Sequence, residues 1–517
     1  MTTGVLAIDQ GTTNTKALLI DAAGTIVARA SRPIAVTHPR PGWAEQSGEA
    51  IWRSVQEAAG ECLEARPEIK LAAIGVSNQR ESVLLWDRAT GEPLGPCVIW
   101  QCRRSAERLA PLRRPEIENV LAAKTGLGVD PLFPAAKIAW LLDEIPDARA
   151  AAKAGRVCAG TVDSWLLFKL TGGERHATDF SNASRTQLFD IHRLRWDAEL
   201  GEIFDAPIAI MPEAAPSDNS FGVTAAASGL PQGAPIRAMM GDSHAALYGH
   251  GVRAPGAVKA TYGTGSSLMT LIERPVVSRN GLSTTIAWGA GGAVAYALEG
   301  NISVSGQAVA FASMLLGLND ETALTRLAQT VETSGGVYFV PALAGLGAPH
   351  WRDDARGLIT GMSLSTKPAH IARAALEAVA LQIYDVFAAM EADRGAELSA
   401  LSADGGASRN DVLMQIQADV LQRPVRRSRI AELSAIGAGL MAGIGVGLWS
   451  EEQGLSRLTG EADIFTPDAD RDGRRRLISG WRAALDQAIA GARRRAEHES
   501  FPSSRGVGAA SASARSN

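Results

Sequence analysis

The sequence predicts an α/β chain of two large domains, and three observations predict it. Short apolar runs without polar alternation, the pattern of buried strands, open each half of the chain. Long helical periodicities follow in both halves. The length, 517 residues, exceeds one domain at roughly 100–200 residues apiece.

The first apolar run is Val5-Leu6-Ala7-Ile8, which ends at Asp9-Gln10-Gly11-Thr12-Thr13-Asn14. Strands over Lys16–Ile20 and Thr25–Ala30, joined by the turn Asp21-Ala22-Ala23-Gly24, complete a β-meander with a Gly/Thr-rich first bend. Ser47–Ala65 places Ile51, Val55, Ala58 and Cys62 on one helical face. The strand Leu71–Val76 runs into Ser77-Asn78-Gln79-Arg80-Glu81. Val83–Trp86 and Cys97–Trp100 read as strands, and Lys137–Glu144 and Val162–Leu170 as helices. A second β-rich start follows. Met239-Met240 leads to Gly241-Asp242-Ser243-His244, and Val258–Tyr262 leads to Gly263-Thr264-Gly265-Ser266-Ser267. Strands at Thr284–Trp288 and Ala293–Leu298 precede helices at Ser305–Leu316, Pro368–Ala392, Asp411–Leu421 and Ser434–Leu448. The repeated plan hints at duplication, although the halves share negligible sequence. The Gly/Pro-bearing stretch Gly249–Gly256 sets the expected boundary, dividing domains 1–250 and 251–496. Residues 497–517 are small and polar and read as a disordered tail.

Composition excludes several classes. With 51 basic and 55 acidic side chains the net charge is −4, which gives no global attraction to nucleic acid or to an anionic membrane. No apolar stretch approaches the roughly 18 residues of a membrane span. The opening lacks the charged n-region of a signal peptide. Four cysteines without CxxC pairing read as reduced thiols, which points to a cytoplasmic protein.

Five segments carry chemistry. The hairpin Asp9–Lys16 brings N–H and O–H groups to anionic oxygens, with Lys16 as a cation on the returning strand. Asp9, at a strand end, suits Mg²⁺ held through waters. Gly263–Ser267 is a second hairpin of the same type. Either alone could be an ordinary turn; one per half fits a clamp around a polyphosphate. Asp404-Gly405-Gly406-Ala407-Ser408-Arg409-Asn410 follows a strand and lets a flat ligand lie against backbone, although taken alone a plain tight βα turn is the commoner case. Arg80-Glu81 can donate to and accept from vicinal hydroxyls; a surface ion pair is the plainer alternative. Asp242 could accept the proton of an attacking alcohol. A serine hydrolase around Gly241-Asp242-Ser243 would need a Gly-x-Ser-x-Gly elbow, and none occurs. There is no GxxxxGK[ST] loop, and the glycine-rich Gly437–Ala442 run sits inside a helix rather than after a strand, so it reads as helix packing.

Together with PGWAEQ, VIWQCRR, GTVDSWLLFKLTGG, TDFSNASRT, PALAGLGAPHW and GLITGMSLSTKPAHIARAALE, these segments resemble the FGGY carbohydrate kinase family over essentially the whole chain to about residue 495. The glycerol kinases are the most similar branch. The resemblance implies two actin-like (ribonuclease H-like) domains with an ATP cleft between them, and γ-phosphoryl transfer from ATP to a sugar or polyol. It implies that Thr12, Thr13, Asn14, Lys16, Thr264 and Gly265 meet the phosphates, and that Gly306, Gly406 and Asn410 line the nucleoside site. It further implies that Asp9 and Asp242 hold Mg²⁺, and that Arg80, Glu81, Trp100 and Asp242 form the substrate site with Asp242 as base. A homodimer or homotetramer is the family's expectation.

The departures from the glycerol kinase pattern cluster in the substrate pocket. Leu132 replaces a tyrosine, Ser243 a glutamine and Ser267 an aromatic residue, and Ala310 replaces an amide near the adenine. Volume is gained and hydroxyls appear, which predicts a small polyol somewhat longer than glycerol, such as a four- or five-carbon alditol, with glycerol itself still possible. A ketose kinase of the same family, or a non-catalytic actin-like sugar sensor, are the alternatives.

Overall fold

The computed structural model describes residues 2–458, 460–468 and 470–499. Two mixed sheets frame it. In the first, β1 (Thr2–Gln10), β2 (Asn14–Asp21) and β3 (Ile26–Pro33) form the expected antiparallel meander. Helix α1 (Gly48–Glu64) is capped by Ser47, whose Oγ accepts from the Ala50 N–H at 3.2 Å, and it buries Ile51, Val55, Ala58 and Cys62 against the meander. The chain returns as β4 (Ile69–Asn78), parallel to β1, and later as β5 (Pro235–Gly241), parallel to β4. The spatial order is the edge strand Gly222–Val223, then β5, β4, β1, β2, β3. Strand β5 runs directly into helix α2 (Asp242–Gly249).

The second sheet repeats this plan. β6 (Ala257–Tyr262) and β7 (Ser266–Ile272) form a hairpin, followed by β8 (Ser283–Ala290) and β9 (Ala293–Ile302). After helices α3 (Gly306–Leu315) and α4 (Pro368–Arg394), β10 (Ala400–Asp404) lies parallel to β6. Helix α5 (Asp411–Leu421) leads to β11 (Val425–Ser428), parallel to β10. The edge strand β12 (Ala462–Phe465) gives the order β8-β9-β7-β6-β10-β11-β12. The runs β5-β4-β1-β2-β3 and β11-β10-β6-β7-β9 therefore match in order and in parallel or antiparallel sense. The duplication hinted at by the sequence is present as topology.

Each half has its own apolar core, and a third cluster joins them, with Val5, Ala7, Leu18 and Ile20 of the first sheet and Met269, Leu271 and Trp288 of the second grouped with Ala245, Leu247, Ile436 and Leu440. Helix α6 (Leu433–Gly445), late in the chain, lies on the first sheet and on α2. Glycines make this possible: a Cβ on Gly437 would fall 1.9 Å from the Ala245 carbonyl oxygen, and one on Gly75 would fall 2.3 Å from that of Ala438. The glycine-rich run is helix packing, as its place in the sequence suggested.

Some expectations shift. The strand over Cys97–Trp100 ends at Val98, and the main partner of Val83–Asp87 is Val157–Thr161. The last helix, α7 (Arg471–Glu499), was not anticipated: its arginines mask an apolar face of Ile478, Trp481, Leu485 and Ala488 that enters the second core. It extends to Glu499, and residues 500–517 of the segment read as a tail lie outside the described residues. All four cysteines are free and buried. Among the described residues no helix is long and apolar enough to cross a membrane.

Candidate active site

The ends of the parallel strands and the second hairpin meet through side-chain contacts among Arg80, Asp242, Ser243, Ser267 and Glu299. The bend between β1 and β2 is closed by the Gly11 N–H donating to the Asn14 carbonyl at 3.0 Å. Asn14 Nδ2 donates to Thr13 Oγ1 at 3.2 Å, and the indole Nε1 of Trp100, itself 39% exposed, donates to Thr12 Oγ1 at 2.9 Å. Asp9 and Lys16 are register partners at the mouth of this hairpin. Ser77 Oγ, at the end of β4, donates to Asp9 Oδ1 at 2.7 Å. Burial pushes the Asp9 carboxyl up to about 6; the nearby Asp242 charge adds to this, and the Ser77 bond and Lys16 only partly offset it.

Arg80 and Glu81 follow β4. Glu81 sits at φ 58, a left-handed conformation that a non-glycine residue holds only under constraint. Arg185 Nε donates to Glu81 Oε1 at 2.7 Å, and Lys137 Nζ donates to the Glu81 carbonyl at 3.0 Å and to the Leu132 carbonyl at 2.6 Å. Leu132 is thereby placed beside Glu81.

Asp242 opens α2 at the end of β5. Arg80 Nε donates to its Oδ1 at 3.0 Å, and the Ser243 N–H reaches the same oxygen at 2.6 Å. No hydrogen bond of the described residues lands on Oδ2, and the side chain is 38% exposed. Arg80 Nη2 donates to Ser243 Oγ (3.3 Å), Ser243 Oγ to Ser267 Oγ (3.2 Å) and Ser267 Oγ to Glu299 Oε1 (3.2 Å). Arg80 Nη1 closes the ring by pairing with Glu299 Oε1 at 2.6 Å. The other Glu299 oxygen lies 2.8 Å from Arg185 Nη2. Burial alone would raise the Glu299 carboxyl, but Arg185 and Arg80 outweigh it and hold Glu299 well below the usual carboxylate range. The neighbouring His244 is buried, and burial together with the Arg80 charge drives its imidazole well below its ordinary value; Nε2 meets Thr285 Oγ1 at 3.2 Å.

In the second hairpin, the Gly263 N–H donates to the Gly265 carbonyl at 2.9 Å, and the Gly306 N–H to the Gly263 carbonyl at 3.0 Å. Gly265 and Gly306 are tightly packed: added Cβ atoms would lie 2.3 Å from the Ile302 oxygen and 2.6 Å from the Gly263 oxygen. The Thr264 carbonyl accepts from the Ser305 and Gln307 N–H groups. Gly406 has open space where a Cβ would stand. Asn410 is more occupied than its sequence reading implied: Oδ1 caps α5 through the Leu413 N–H at 3.1 Å, and Nδ2 donates to Thr325 Oγ1 at 2.8 Å.

Arg80, Glu81, Asp242, Ser243 and Ser267 thus form one connected group, Thr12 and Trp100 a second, and Thr264, Gly265 and Gly306 a third. Sequence reasoning missed Glu299, Arg185 and Lys137, which hold the first group in place. A single glutamate inside the otherwise apolar run Ala293–Leu298 and onward was the available signal, because an acidic residue in a buried strand requires a partner.

The chain matches the FGGY family of carbohydrate kinases, N-terminal domain, over residues 4–249 and the C-terminal domain of that family over residues 258–446. It belongs to the FGGY family of carbohydrate kinases. It is 48% identical over 486 residues to the apulose kinase of Pectobacterium atrosepticum, covering 94% of this chain and 98% of that protein. It is 46% identical over 489 residues to the glycerol kinase of Thermus brockianus, again covering 94% and 98%. The crystal structure of Plasmodium falciparum glycerol kinase with ADP superposes with a TM-score of 0.89 at 32% identity, covering 94% of this chain and 98% of that one. The xylulose kinase of Rhodospirillum rubrum superposes with a TM-score of 0.83 at 28% identity, covering 95% and 100%. The fold is the actin-like one that the sequence resemblance implied. This FGGY kinase is accordingly an ATP-dependent phosphotransferase that acts on an alcohol group of a small polyol or sugar.

Proposed function

We propose that this FGGY kinase phosphorylates a hydroxyl of a polyol longer than glycerol, a four- or five-carbon alditol, with Mg²⁺ as the metal of its ATP. The observation that carries the reading is the Ser243–Ser267 pair, two small hydroxyl side chains joined to Arg80 and Glu299 in the wall of the substrate site. Because Glu299 is an acceptor only, Ser267 must spend its proton on Glu299 and Ser243 must spend its own on Ser267. Both oxygens keep a lone pair for a further substrate hydroxyl. Loss of such a partner costs a shorter substrate heavily.

Arg80 donates to the substrate hydroxyls and Glu81 accepts from them. Asp242 takes the proton of the attacking hydroxyl on Oδ2, the oxygen left free when Arg80 and Ser243 hold Oδ1. The hairpin groups Thr12, Thr13, Asn14, Lys16, Thr264 and Gly265 position the phosphates, and Gly306, Gly406 and Asn410 the nucleoside. Phosphoryl transfer needs little beyond such positioning and charge neutralisation. Asp9 and Asp242 would hold magnesium: the Asp9 carboxyl is destabilised as an anion by burial and by Asp242, which a divalent cation would relieve. Bound there, Mg²⁺ supplies neutralisation of the phosphate charge.

A ketose substrate is the second reading. It is favoured by the 48% identity to the apulose kinase, against 41–46% to the glycerol kinases of Bacillus cytotoxicus and Thermus brockianus. Coupled ADP release with Mg-ATP across C3 to C6 polyols and ketoses separates the two. An alditol exceeding glycerol by about tenfold in kcat/KM is expected; a preferred ketose establishes the second reading, and a preference for glycerol removes both. Asp242→Asn is expected to lower kcat by about 10³ with any acceptor.

A further inference from the structure

We propose that His250 is a positioning residue for phosphoryl transfer: its hydrogen bond to Asp404 fixes where helix α2, which begins with Asp242, stands relative to the diglycine loop Asp404–Gly406. The inference rests on the reading of Asp242 as the base and of that loop as nucleotide-facing.

His250 follows the last residue of α2 and continues its hydrogen bonding, with its N–H donating to the Ala246 carbonyl at 2.9 Å. Its Nε2 lies 2.7 Å from Asp404 Oδ2, and both side chains are buried. The eight residues of α2 span about 12 Å, so His250 stands well away from the reacting hydroxyl and acts only through the helix. Glycines seat the flank of α2 on α6: a Cβ on Gly249 would fall 2.6 Å from the Leu433 oxygen, and Gly437 lies under Ala245. The two ends of the helix are tied by Arg80 on Asp242 and by Asp404 on His250.

The Asp404 end is fixed in turn. Asp404 is the register partner of Thr261, one residue before the second hairpin strand ends. The next residue, Gly405, has φ 91 and passes so close to β6 that a Cβ would meet the Tyr262 oxygen at 2.5 Å. The His250 bond therefore joins the catalytic helix to the same structural block as Gly263–Gly265. Burial would raise the Asp404 carboxyl, but the hydrogen bond and charge of His250 and the charge of Lys259 override it, so that the group is held as an anion below its ordinary range. Lys259 is itself fully buried on β6, and its ammonium has no hydrogen-bond partner among the described residues.

The test compares His250→Ala, His250→Asn and His250→Gln in the full chain, by kcat with the best acceptor, KM for that acceptor, ADP affinity by calorimetry and melting temperature. A misplacement of the helix predicts that His250→Ala lowers kcat about tenfold and weakens ADP about threefold while the acceptor KM stays within about twofold. Glutamine, whose amide reaches Asp404, recovers most of the loss. If His250→Ala melts like the wild type yet keeps kcat and ADP affinity within about twofold, the proposal is overturned. Should the alanine variant not fold, asparagine decides, since its amide is too short to reach Asp404: equal kcat for asparagine and glutamine overturns the proposal, and a gap of about tenfold supports it. A wild type that binds ADP but phosphorylates no polyol or ketose defeats the substrate reading alone; the ADP affinities of the variants still decide the role of His250.

Discussion

The two sheets end their central strand pair in the same way and with opposite electrostatics. In the first, Asp9 on β1 faces Ser77 on β4; in the second, Thr261 on β6 faces Asp404 on β10. Each is an acid–hydroxyl pair near the ends of its strands, with the two residue types exchanged between strands. Asp404 has the His250 hydrogen bond and the Lys259 charge beside it and is held below its ordinary range. Burial pushes Asp9 up to about 6, and the Ser77 hydroxyl and Lys16 offset this and the Asp242 charge only in part. One acid is satisfied by the protein, whereas the other is left short of positive charge. A duplicated frame has thus been divided into a half whose acid is short of positive charge and a half whose acid is held as an anion.

The largest effect expected from this difference is on activity. Asp9→Asn is expected to lower kcat by about 10²–10³, because it removes a carboxylate directed at developing charge. Asp404→Asn is expected to lower kcat by about tenfold or less, because its carboxylate acts through position. Steady-state kinetics at saturating Mg-ATP checks both, and equal losses would erase the division of labour between the halves.

Much of this was legible in sequence because it is local. The hairpin Asp9–Lys16, the pair Arg80-Glu81, Asp242 and Gly263–Ser267 are contiguous motifs, and the strands that carry them are plain apolar runs. The partners that hold them were not legible. Glu299, Arg185 and Lys137 meet Arg80 and Glu81 only after residues far apart in the chain are brought together. The exchange of acid and hydroxyl between β1–β4 and β6–β10 appears only once the register is known. Helix α7 escaped for a different reason: its exposed arginines dilute an apolar stripe that is otherwise regular.

The hairpins themselves differ next. Gly265 is packed against backbone, with an added Cβ 2.3 Å from the Ile302 oxygen, while a Cβ on Gly11 would stand 3.1 Å from the Asn14 oxygen. Gly265→Ala must displace backbone, so the KM for ATP is expected to rise about tenfold and stability to fall by about 1–3 kcal/mol. Gly11→Ala is expected to stay within about twofold in KM, because its neighbour needs to give by only a few tenths of an ångström. The acids also predict opposite pH signatures in the nucleotide-free protein. Asp9 has a folded pKa of about 6, above the ordinary 3.8, so the folded state keeps a proton the unfolded state has released, and stability falls as pH rises between those values. Asp404 is depressed below 3.8, so its contribution is full above that value and is lost as pH falls through the lower folded value. Thermal melts of wild type, Asp9→Asn and Asp404→Asn between pH 3 and 7 check the two signs, and the Asp9 slope is expected to shrink when Mg-ADP is added.

The smallest effect concerns what holds the first hairpin, which lacks the glycine packing of the second. One of its long-range side-chain ties, beside that of Gln46 Nε2 to the Thr12 carbonyl at 2.7 Å, is the Trp100 indole to Thr12 Oγ1, in a partly exposed setting. Trp100→Phe removes that bond but keeps an aromatic wall. A neutral hydrogen bond open to water contributes at the low end of about 0.5–1.5 kcal/mol, so the KM for ATP is expected to change by about twofold and kcat by less. A loss of tenfold or more would mean that the indole fixes the hairpin as firmly as the Ile302 backbone fixes Gly265. The first half would then be as preorganised as the second, and its lack of positive charge around Asp9, rather than any looseness of the loop, would be the whole of the difference between them.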